Sequence, residues 1–212
     1  MHENQDTQLT RGGVMSLETN LNAEFAYYEK AKENYDEKAR IAAAAAKLIQ
    51  PGDVAMLDAG TTPRLMARHL GGLHPLNVVA NDILIATDLS GFENLTVTVT
   101  GGVLRPHFFT LRSFAAEDLM GSMQAKIAFI GVDAVSPRTG CMVTDIDKVR
   151  FKQCMIEAAH KSVVLCDHIK FNNHSLISFS PLSKIDTIIT DDCLDKRVCD
   201  EICEAGVEIL LV

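Results

Sequence analysis

The side chains best able to do chemistry in this sequence stand where apolar runs end. Asp58, Gly60, Thr61 and Thr62 follow the run VAML and lead into a helix-like segment at Pro63. Glycine lets backbone approach an anion, and hydroxyls and amides at the positive end of a helix can surround phosphate oxygens. The same residues also suit an ordinary turn in which Asp58 or Thr61 caps the helix. Asn81 and Asp82 follow NVVA and open the next helix, either as ligand groups or as plain caps. Gly101 and Gly102 follow LTVTV, with Arg105 close behind. That pair permits backbone contact with an anion held by the guanidinium, or simply turns a hairpin. Asp133 ends KIAFIGVD, and Asp145 opens DIDKVRFK, where Lys148 and Lys152 are spaced i, i+4 on one helix face. Asp167, His168 and Lys170 close the run SVVLCD. Taken together, these groups predict a polar, mixed-charge rim suited to a sugar phosphate.

A rim of this kind needs elements that all end on one edge, and the sequence supplies them. NYDEKARIAAAAAKLI places Ile41, Ala45 and Leu48 at helical spacing before PGD at 51–53 stops the helix. Short apolar runs then alternate with helical segments: VAMLD, PRLMARHL, NVVA, DILIATDL, LTVTV, a helix ending near Gly121, KIAFIGVD and a helix near 147–160. SVVLCD, DTIITD, a helix near 195–204 and VEILLV complete the series. This alternation predicts an α/β fold: a doubly wound, mainly parallel sheet with helices on both faces, its ligands at the carboxyl ends of the strands. Residues 1–20 are polar and lack core-building periodicity, which assigns them to a linker and 21–212 to a ligand-binding domain.

With 212 residues and 47% hydrophobic content the chain can bury a substantial core. Its net charge of −8 argues against holding nucleic acid on its own. No apolar run approaches the ~20 residues of a membrane span. The six cysteines, without a signal-peptide core, read as reduced thiols in the cytosol. Cys193, Cys199 and Cys203 lack a CxxC pair, and Cys199 with Cys203 fits one helix face, so structural thiols are expected in preference to a metal site. His168 and His174 have no partner cluster of metal-ligand spacing and are expected to be packed or solvated. Neither a metal nor a cofactor is expected.

Several stretches carry a family resemblance: LTRGGV at 9–14, EKARIAAAAAKLIQPGDVAMLDAGTT at 37–62, LNVVAND at 76–82, TGGVLRP at 100–106 and IGVDAVSPRTG at 130–140. KQCMIEAAHKSVVLCDHIKF at 152–171 and PLSKIDTIITD at 181–191 complete it. The chain resembles the C-terminal effector-sensing domain of DeoR-type bacterial transcriptional regulators, which include repressors. The resemblance implies a fold similar to ribose-5-phosphate isomerase, glucosamine-6-phosphate deaminase and the CoA transferases. It implies a phosphorylated sugar or related metabolite as effector, bound by Asp58, Gly60, Thr61, Thr62, Gly101, Gly102, Arg105, Asp133, Asp145, Lys152, Asp167 and Lys170. It also implies a homodimer or homotetramer, and operator DNA reached only through a winged helix-turn-helix that would precede the RGGV stretch and is absent from this chain.

The same resemblance bears on catalysis, because the isomerases are expected to carry a carboxylate just before the lysine that matches Lys152. Phe151 stands there, and a phenyl ring cannot move a proton, so no residue is assigned a catalytic role. A sugar-phosphate isomerase or deaminase is the competing enzymatic reading, and a purely oligomerising domain is a third. Asp145 with Lys148 is a further departure, since family members more often carry a neutral Asn and an acid there. Lys152→Met is expected to weaken ligand binding and leave the fold intact.

Overall fold

The computed structural model describes residues 7–10, 13–16 and 27–212 apart from 74, 106 and 172. Most of the expected linker at 1–20 therefore lies outside the described residues, as does Pro106. Within it, β1 (Thr7–Thr10) and β2 (Gly13–Ser16) pair as an antiparallel hairpin.

Seven parallel strands form the main sheet: β3 (Val54–Leu57), β4 (Leu76–Ala80), β5 (Leu95–Val99), β8 (Ile127–Gly131), β11 (Ser162–Leu165), β13 (Thr187–Thr190) and β14 (Glu208–Leu211). Their spatial order is β14-β13-β11-β8-β3-β4-β5. The inner strands β11 and β13 are buried along their whole length, which is why they read as unbroken apolar runs. Side chains alternate across the sheet into two cores. Ala55, Leu57, Phe129 and Leu165 face one core with α1 (Tyr35–Ala46), α2 (Thr61–Ala67) and α3 (Ile83–Leu89). Met56, Ala128, Ile130 and Val164 face the other, with α4 (Phe114–Ser122), α5 (Val149–Ala158) and α6 (Lys196–Glu204). The sheet is thus doubly wound. Among the described residues no helix is long and apolar enough to cross a membrane.

Besides the β1–β2 hairpin there are two smaller sheets among the described residues, one not read from the sequence and one the hairpin that the glycine pair offers as an alternative. The short strands β9 (Ala134–Ser136), β10 (Gly140–Val143) and β12 (Ile177–Ser180) pair antiparallel, and Val135, Cys141, Val143 and Phe179 pack into the second core. The hairpin β6 (Val103–Leu104) with β7 (Leu111–Arg112) follows the glycine pair at 101–102.

Strand order reverses between β3 and β8. The chain builds outward from β3 through β4 to β5 on one side, and from β8 through β11 and β13 to β14 on the other. The loops leaving β3 and β8 diverge there, opening a crevice at the carboxyl ends of the strands.

Candidate functional site

A cavity of about 160 Å³ occupies this crevice. Gly60, Thr61, Thr62, Asp133, Lys152, Asp167 and Lys170 all line it, so seven of the residues singled out from sequence meet around one space. They do so because each lies at or just beyond the end of a central strand, or, for Lys152, on the helix that crosses beneath them.

The loop after β3 is not an ordinary capped turn. Gly60 is the residue before α2 and takes φ 154°, a backbone conformation open to glycine, and no side chain caps the helix. Helix α2 starts at Thr61, so Pro63 is its third residue and not its first. The Asp58 carboxylate instead crosses to β8, accepting the Gly131 N–H at 3.0 Å and pairing with the Lys152 ammonium. Lys152 also donates to the Gly131 carbonyl at 2.7 Å. Both side chains are buried, and this pair ties the two diverging strands together at the base of the crevice.

Around it the charges divide. Asp133 accepts the Thr144 N–H at 2.9 Å and the Lys30 ammonium at 3.3 Å. Burial opposes its ionisation, but Lys30, the Thr144 bond, Lys148 and Lys152 outweigh that and hold its carboxyl at about 2. Lys148 also lines the cavity, its ammonium 5.7 Å from the Phe108 ring centre and in no ion pair with a described residue. Burial, then neighbouring Lys152, lowers its pKa. Asp82 and Asp167 also line the cavity. Both are fully buried, and among the described residues Asp82 Oδ2 and both Asp167 oxygens lack a hydrogen-bond partner. Asp82 Oδ1 caps α3 through the Leu84 and Ile85 N–H groups, yet burial still pushes its carboxyl up to about 6.

The remaining candidates lie outside this cavity. Asp58, Asn81 and Arg105 border a smaller one behind the β3 loop, together with Lys148 and Phe151. Asn81 is buried there, its Oδ1 without a partner among the described residues. Arg105 pairs with Asp145, which also caps a 3-10 turn through the Asp147 N–H at 3.0 Å. Gly101 and Gly102 border neither cavity. Both have positive φ, and a Cβ on Gly102 would meet the Arg112 carbonyl at 2.3 Å, so they shape the β6–β7 hairpin.

Sequence reasoning missed four residues of the wall that bear on its chemistry, Lys30 among them. Lys38 reaches in from α1, buried, its ammonium donating to the Glu33 carbonyl at 2.6 Å and lying 3.8 Å from Asp167. Tyr27 and Phe108 add aromatic surface. The periodicity of α1 marks its apolar face and gives no sign that a lysine on it turns inward.

Residues 33–192 match the family profile described as the DeoR C terminal sensor domain. The HTH-type transcriptional regulator GlpR of Haloferax volcanii is 32% identical over 95% of this chain and 78% of its own length. The HTH-type transcriptional repressor GlcR of Bacillus subtilis is 34% identical over 95% of this chain and 77% of its own. Among solved structures, ribose 5-phosphate isomerase A of Methanocaldococcus jannaschii aligns over 66% of this chain and 55% of that one, at 21% identity and a TM-score of 0.48. With a profile covering most of its length and such relatives, the chain belongs to the DeoR family of regulators and carries their C-terminal sensor domain.

Proposed function

We propose that this domain senses a phosphorylated sugar or polyol in the switch-point cavity, and that occupancy biases DNA binding by a helix-turn-helix domain of the same regulator. One observation carries the reading: the cavity is lined both by a cation, Lys148, in no ion pair with a described residue, and by Asp82 and Asp167, whose buried oxygens Asp82 Oδ2 and Asp167 Oδ1 and Oδ2 have no hydrogen-bond partner among the described residues. A buried acceptor without a partner is costly, and a ligand that supplies hydroxyl donors removes the cost. A ligand that carries both an anionic group and several hydroxyls answers both kinds of group. Gly60, Thr61 and Thr62 offer amides and hydroxyls to the anion, Lys148 and Lys30 offer charge, and Asp82 and Asp167 accept from the hydroxyls. Phe151, buried and without a transferable proton, supports sensing over isomerisation.

The test is a thermal-shift screen of phosphorylated sugars and polyols. A ligand at a hundred times its dissociation constant should add about 2.7 kcal/mol of stability. Thr61→Val, which keeps shape and removes a donor, should weaken that ligand by about 1 to 3 kcal/mol while the free protein melts as before. Silence across the panel, or turnover of ribose 5-phosphate or glucosamine 6-phosphate, would overturn the reading.

A further inference from the structure

On the same rim, one strand further from the switch point, three side chains converge that effector binding does not use. Asp191 directly follows β13, and His168 follows Asp167 just beyond β11. His168 Nδ1 lies 2.8 Å from Asp191 Oδ1, and Cys193 Sγ completes a set whose ligand atoms lie within 4.8 Å of one another. Among the described residues no other group of three His, Cys, Asp or Glu side chains converges in this way.

Imidazole nitrogen, thiolate sulfur and carboxylate oxygen are the donors that zinc and its borderline-soft neighbours take, and a tetrahedral ion with three protein ligands keeps one position open. The Asp191 carboxylate is fully buried and held by the N–H groups of His168 at 2.8 Å and Cys193 at 3.1 Å. These bonds orient one ligand in advance, as outer-shell hydrogen bonds do in metal sites. The outer side is open: Cys193 is exposed and the His168 side chain is 28% exposed. We propose that His168, Asp191 and Cys193 form a site for a thiophilic divalent transition metal, with zinc the best fit and water in the fourth position. Binding displaces the Cys193 thiol proton, and the metal replaces the hydrogen bond between the His168 ring and Asp191. At ordinary zinc–ligand distances that pair opens by only about 0.5 Å. The site also reaches the effector cavity, because His168 opens the turn His168–Phe171, which carries Lys170, and Asp167 precedes it. A metal here pins the segment that supplies two residues of the cavity wall.

Cobalt is the probe. Titrating the metal-free full chain with Co²⁺ should give a near-ultraviolet thiolate-to-cobalt band that saturates at one equivalent and is displaced by Zn²⁺. Cys193→Ser should abolish the band while the metal-free variant melts like the parent, since Cys193 is exposed. His168→Ala should weaken cobalt binding by at least about tenfold. No band at all would leave Asp191 as a hydrogen-bonding hub only and overturn the proposal. So would a band that survives Cys193→Ser and is lost when Cys199 and Cys203 are both replaced. These outcomes are read without any sugar phosphate, so they are independent of effector binding.

Discussion

Lys152 and Asp58 sit at the base of the crevice, each almost wholly removed from solvent, and each is the other's countercharge. Sequence alone suggested that Lys152→Met would spare the fold. In the structure the substitution strands a buried carboxylate, and the expected loss is about 3 to 5 kcal/mol in denaturant unfolding. Adding Asp58→Asn in the same chain removes the orphaned charge and should recover most of that loss. Asp82 gives a different signature. Its folded carboxyl titrates at about 6 against an ordinary 3.8, because burial outweighs the two N–H bonds from Ile85 and Leu84. A raised carboxyl pKa means that the proton favours the folded state, so this group's contribution is full below about pH 4 and lost as pH rises through about 6. Asp82→Asn keeps a capping acceptor without the charge. It should therefore gain on the parent between about pH 4 and 7, by roughly 3 kcal/mol, in melts run across that range. A gap that stays constant with pH would show that Asp82 is not so perturbed.

Among the elements, the small antiparallel sheet depends most sharply on one residue. Gly140 has φ 79°, and a Cβ there would lie 2.1 Å from the Ser180 carbonyl, a backbone atom of the neighbouring strand. Gly140→Ala should part β10 from β12 and lose well over 1 kcal/mol, seen as a lower melting temperature. Gly52, also at positive φ but with nothing near its Cβ, should lose only the conformational strain when changed to Ala. The large elements were legible because burial on both faces leaves continuous apolar runs such as IAFI and SVVL. AVS, GCMV and ISFS were not, since three or four residues between turns carry too little period to distinguish strand from loop. The cavity was legible in the same measure. Residues at strand ends could be placed on one rim from pattern alone, whereas Lys38 comes from a helix packed over it. The convergence of His168, Asp191 and Cys193 was not legible for a related reason: His168 and Asp191 follow two different strands that the sheet brings side by side, so no local spacing announces it.

For the whole molecule, a net charge of −8 predicts that this chain alone does not hold operator DNA specifically; retention of an operator fragment that grows as salt falls would contradict this. We expect the chain to be a dimer or tetramer in light scattering, since two-fold operators are met by two-fold assemblies, and a monomer at micromolar concentration would contradict it. The strand order has a further consequence for how the protein is made. β3 lies mid-sheet, with β4 on one flank and β8 on the other, and β8 begins only at Ile127. A ribosome delivers β3, β4 and β5 together and leaves the other edge of β3 bare while the intervening residues are still being synthesised. During that interval an apolar strand displays an unpaired row of N–H and C=O groups, which is the geometry that recruits foreign strands. Fragments ending before β8 should aggregate, whereas a chain that lacks only the outermost strand β14 keeps that edge sealed.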